Sequence, residues 1–161
     1  MGKIKNFFSN KFNIAILLGL AVLPLIAYLD IGGILLIGYE KYTTGQWDVA
    51  YWLHFRNLGL IIFSIVPIAY WFFYRKDKSE FLAIYLTSVI GWYSGISDIF
   101  YFWLQKLQVP EFLPWLDHHI VIGRISNLIG YPQVTNISLY VSAIVGLIAI
   151  YFVTKFLKQK M

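Results

Sequence analysis

Carboxylates and imidazoles are few in this 161-residue sequence, and those able to do chemistry gather in a few places. Asp98 stands inside an apolar stretch, Asp117, His118 and His119 follow in the next connection, and His54 lies earlier in the chain. Imidazole combined with carboxylate is a donor set that suits zinc, iron or copper. His54, Asp98, Asp117, His118 and His119 are therefore the candidate ligands for a divalent transition metal. The same types also suit proton transfer, because an imidazole beside an acid exchanges protons near neutral pH. On that reading Asp98, His118 and His119 are the candidate catalytic groups. An ordinary structural role competes with both, since an acid taken out of water normally finds a cation. Asp98 has Arg124 or Arg56 for that purpose, and Asp30 has Arg56 or a histidine.

Spacing narrows the chemistry. No His-x-x-x-His or Glu-x-x-His pair lies on a helix face, and adjacent histidines such as His118 and His119 point in different directions. With no cysteine, thiolate metal sites, disulfides and cysteine nucleophiles are excluded. A haem held by two histidines is confined to a pairing of His54 with His118 or His119. Gly91-Trp92-Tyr93-Ser94-Gly95 departs from the serine motif of rhomboid proteases. The glycine before the serine is three residues away instead of two, and no histidine follows in a later span. Ser94 reads as a packing residue.

The elements that hold these residues are apolar. Hydrophobic residues make up 59% of the chain and charged residues 13%, about half the usual charged share of a soluble domain. Lipid is the solvent that such a composition fits. Four spans are expected at about 13–38, 57–74, 81–104 and 137–153, in a single membrane domain covering 1–161. The outer connections are then 39–56 and 105–136. The fold class is an all-α integral membrane protein, a four-transmembrane-helix bundle with interfacial or re-entrant helical segments on its outer side. The first run is too long for the apolar region of a signal peptide, and no small-x-small cleavage site closes it. Tyr39 to Arg56 has the aromatic composition of a membrane interface, and 120–129 is apolar but too short to span. In the third span Thr87, Gly91, Ser94, Asp98, Tyr101 and Gln105 are spaced 4, 3, 4, 3 and 4 apart, which keeps them on one helix face.

Charge sets the orientation. Nine of the 13 basic residues (Lys3, Lys5, Lys11, Arg75, Lys76, Lys78, Lys155, Lys158 and Lys160) fall on the side of both termini. The positive-inside rule makes that side cytoplasmic and the protein integral to the cell (plasma) membrane. Basic clusters beside apolar runs do not form a nucleic-acid face, in spite of the net charge of +5. All three histidines then lie on the outer side together with Asp30, Asp98 and Asp117. The residues name no reaction. They favour a non-catalytic or accessory subunit of a larger membrane complex, in contact with the bilayer and with other membrane subunits or a second copy. The alternative is a small membrane enzyme or metal/redox protein with an Asp/His site at the outer leaflet.

Overall fold

The computed structural model describes residues 10–37, 49–74 and 78–159, with side chains for 10–32, 59, 61–73 and 78–159. It is all-helical in that region, with one isolated antiparallel bridge between Phe112 and Thr135. The helices are α1 (Lys11–Ile37), α2 (Val49–Tyr74), α3 (Lys78–Tyr93), α4 (Ile96–Leu104), α5 (Ile122–Leu128) and α6 (Asn136–Gln159), with a 3-10 turn at Pro114–Leu116. Two of them, α1 over Lys11–Gly32 and α6 over Asn136–Gln159, are long and apolar enough to cross a membrane. Ile61–Phe73 in α2 is a shorter apolar stretch.

Three buried clusters fix the direction of each helix. At one end Phe12 and Ala15 of α1 meet Tyr70 of α2, Ala83 and Ile84 of α3, and Leu157 of α6. In the middle Val22 and Ile26 surround Phe63, with Trp92 against them. At the far end Ala27 packs with Tyr101, Phe102, Leu113, Leu116, Ile122 and Leu139. Thus α1 and the α3–α4 pair run in one direction, α2 and α6 in the other. The described start of α1 and the end of α6 lie at the same end of the bundle. The polar stripe faces inward: Thr87, Gly91, Ser94 and Tyr101 are all buried. Small residues there let the backbones of neighbouring helices approach closely.

One boundary differs from the sequence expectation. The second helix begins at Val49, as expected of a segment from Gln46 onward that runs as a helix into the span at 57–74. No glycine or proline interrupts 49–56, so the aromatic connection simply continues the helix. The third stretch is two helices, not one, divided at Ser94-Gly95. Gly95 has φ +81°, and a Cβ added there would run into Leu139 and approach Ile122 at 2.9 Å. Only glycine adopts that backbone without strain, and only glycine fits the space. Close beside it Gly146 of α6 lies directly against the Ser94 side chain.

Candidate functional site

The break at Gly95 is what positions Asp98. A helix that restarts at Ile96 exposes fresh backbone N–H groups and the positive end of its dipole. Asp98 lies in the first turn of α4, where a negative charge is favoured. Its carboxylate accepts hydrogen bonds from the Ser97 hydroxyl and from its own backbone N–H. Asp30 of α1 lies near enough for the two carboxyl charges to act on each other. The acid that stands out in the sequence therefore has a partner in its own helix terminus and a second acid as its neighbour.

The connection from α4 to α6 forms a cap on the same end. Asp117 Oδ1 accepts the Val134 N–H at 2.6 Å, tying the 3-10 turn to the approach of α6. Leu113 N–H donates to the Val134 carbonyl and Asn136 N–H to the Glu111 carbonyl, which closes the bridge at the base of the cap. His119 is half-buried. Its Nδ1 accepts the Ile122 N–H at 3.4 Å at the start of α5, and its ring lies 5.8 Å from that of Tyr93. Burial pushes the His119 imidazole below its ordinary pKa, so the neutral ring is the favoured form and the acceptor role is consistent with it. His118 and Arg124 are exposed.

The structure thus brings Asp30 to Asp98, and it places Asp117 and His119 in the hydrogen bonding of the cap. Among the described residues no three His, Asp or Glu side chains assemble into a group able to hold a metal ion. The side chains of His54 and Arg56 lie outside the described residues. The described members of the expected metal set in the cap have the following surroundings. Asp117 and His119 are turned toward backbone N–H groups, while His118 faces outward.

Three hydroxyls have a larger part than their types suggested. Thr135 Oγ1 accepts the Ser138 N–H at 3.2 Å and Ser138 Oγ accepts the Thr135 N–H at 3.0 Å. This is a reciprocal cap at the start of α6, with serine in the position that glutamate fills in the usual capping box. Ser126 of α5 joins it, its Oγ 2.9 Å from that of Ser138 and 2.7 Å from the Gln133 carbonyl. The Thr-x-x-Ser spacing before an apolar run was the signal that marks it. At the opposite end the Tyr70 hydroxyl donates to buried Glu80 at 3.1 Å. Between helices, Ser88 Oγ donates to the Gly19 carbonyl at 3.1 Å.

The fold and this site define an all-helical protein with two helices able to cross a membrane and a hydrogen-bonded cap over one end of its bundle. Comparison with protein-family models, with curated proteins and with solved structures finds no match for the chain.

Proposed function

We propose that the chain is a four-span integral membrane protein of the cell membrane, with both termini cytoplasmic, that serves as a non-catalytic accessory subunit of a larger membrane complex. One observation carries this reading. Two helices present exposed apolar seams at heptad spacing: Ile61, Ile65, Ile68 and Phe72 on α2, and Ile137, Tyr140, Ile144, Leu147 and Tyr151 on α6. Spacings of 3 and 4 form a straight stripe along a helix, the pattern that lets a second helix interlock side chain by side chain. A soluble protein rarely exposes an apolar surface of that extent. In a bilayer such seams face lipid or the helices of a partner. The α3–α4 pair crosses as one broken helix, which a membrane tolerates where neighbouring helices enclose the break.

The test is extraction in a mild detergent followed by size separation and identification of co-migrating chains. Stoichiometric membrane partners are expected, lost on changing Ile65→Ala together with Phe72→Ala or Ile144→Ala together with Tyr151→Ala. A monodisperse, partner-free particle overturns the subunit role. The competing reading, an enzyme or metal/redox site at the outer leaflet, draws on the neighbouring carboxyls of Asp30 and Asp98. It requires stoichiometric metal or a visible absorption band that Asp98→Asn removes. Clean elemental analysis and an empty spectrum dispose of its metal and haem forms.

A further inference from the structure

At the capped end of the bundle, between α4 and α6, lies an open groove of about 320 Å³. Its walls are Ile99, Phe102 and Trp103 of α4, Leu107 and Val109 of the chain that follows, and Tyr140 of α6, with Gln108 as a polar wall residue. That size is at the lower limit of small-molecule sites, and the lining is of their kind: apolar walls with a small number of polar groups at fixed places. The groove exists because the chain turns sharply after α4. Lys106 adopts φ +56°, and Leu107 N–H returns to the Phe102 carbonyl at 2.9 Å. The turn lays 107–109 alongside the end of the helix and leaves Lys106 and Gln108 exposed near the groove.

We propose that this groove binds one phospholipid, its acyl chain between α4 and α6 and its phosphate toward Lys106 and Gln108. The proposal rests on the membrane reading above. Three features select this occupant. The groove opens onto the exposed stripe of Tyr140, Ile144 and Ile148, one helical turn apart along α6, so an acyl chain leaving the groove continues over apolar surface. Trp103 is 68% exposed and Tyr140 45%, aromatic rings of the type that sits at headgroup depth. Lys106 supplies the cation and Gln108 the amide donor that a phosphate oxygen accepts from. A partner helix would require a long, continuous groove, and this one is short, with 107–109 forming one of its walls.

Native mass spectrometry of the detergent-extracted chain tests it, with added phosphatidylglycerol and phosphatidylcholine as probes. After delipidation, titration with phosphatidylglycerol is expected to restore one adduct per chain. Val109→Trp and Leu107→Trp, which fill the groove from the loop, each weaken that adduct at least tenfold. Phe73→Ala, exposed on α2 and outside both the groove and the α6 stripe, keeps it within about twofold. Lys106→Gln lowers the preference for the anionic over the zwitterionic lipid several-fold. An adduct that is absent from the wild type, or equal in both tryptophan variants while their helical circular dichroism is unchanged, overturns the proposal. Recovery of the chain in the membrane fraction is scored separately. A chain found there without an adduct refutes the lipid site alone, and a chain found in the soluble fraction refutes the membrane reading beneath it.

Discussion

Replacing Gly95 with alanine tests the structural centre of the molecule. Two penalties combine at this position. An L-residue held in the left-handed region costs about 1–2 kcal/mol. The added methyl also enters space held by Leu139 and, at 2.9 Å, by Ile122, an overpacking that costs about 1–3 kcal/mol. The sum is about 2–5 kcal/mol, which lowers the melting midpoint of a chain of this size by roughly 4–20 °C. Two other glycines separate the terms. Gly130 has φ +90° with nothing within 4 Å of an added Cβ, so Gly130→Ala carries the backbone cost alone. Gly146 lies in ordinary helical backbone against Ser94, so Gly146→Ala carries the contact cost, offset by about 1 kcal/mol of helix propensity. Thermal unfolding in one detergent, followed by circular dichroism, ranks the three. Gly95→Ala is expected to be the most destabilised, and Ser94→Gly is expected to rescue Gly146→Ala. A Gly95→Ala protein as stable as Gly130→Ala would refute the close packing of α5 and α6 onto the break.

Other outcomes follow from the cap and the bundle. Ser138→Ala removes the acceptor of the buried Thr135 N–H and the neighbour of Ser126, and is expected to cost about 1–3 kcal/mol, read by the same melts. Ser138→Asn, which keeps an acceptor, should recover part of that loss. His119 contributes a pH dependence with a defined sign. Its folded-state pKa is lowered, so the stabilisation is fully present above the unfolded value of about 6.5 and is lost as pH falls below it. A melting midpoint that drops below about pH 6.5 in the wild type, and drops less in His119→Asn, is expected; parallel profiles would remove His119 as the cause. Asp98→Asn keeps the helix-terminal acceptor, so stability should change by less than about 1 kcal/mol. A loss of several kcal/mol would show that Asp98 has a cationic partner. Because the chain contains no cysteine, single substitutions label cleanly. In intact cells a membrane-impermeant maleimide should reach His118→Cys and Arg124→Cys but not Lys158→Cys, and the inverse pattern would reverse the orientation.

The helical character and the inward polar stripe were legible because both are carried by local periodicity. Thr87, Gly91, Ser94 and Tyr101 announce their common face by spacing alone, and all four are buried. The break at Ser94-Gly95 was not legible. A glycine in an apolar run reads as a packing residue, and the groups that enforce its conformation, Ile122 and Leu139, arrive from distant parts of the chain. The break bears on Asp98, because it puts the acid in the first turn of a new helix. At a new helix start the backbone adds a positive end of its own to whatever cation the acid meets. The cap residues show the same limit. Asp117 and His119 have the types of ligands, and only the fold reveals that backbone N–H groups occupy them. The Thr135–Ser138 cap, by contrast, has a local signature and was open to reading.

The three buried clusters also carry a kinetic consequence. Leu157 belongs to the cluster around Phe12, and Leu139 to the one around Ala27, so α6 seals both ends of the bundle, and at one of them it meets a cluster that includes Phe12 from the opposite end of the described chain. Contacts so distant in sequence form late, because the loop between them must close first. Docking of α6 is the step that locks the break, because Leu139 and Gly146 pack directly against it. Until it occurs, Gly146 does not cover Ser94 and Leu139 does not hold the left-handed turn at Gly95. A molecule in which α6 has not docked therefore carries the break at Ser94-Gly95 uncovered on that side.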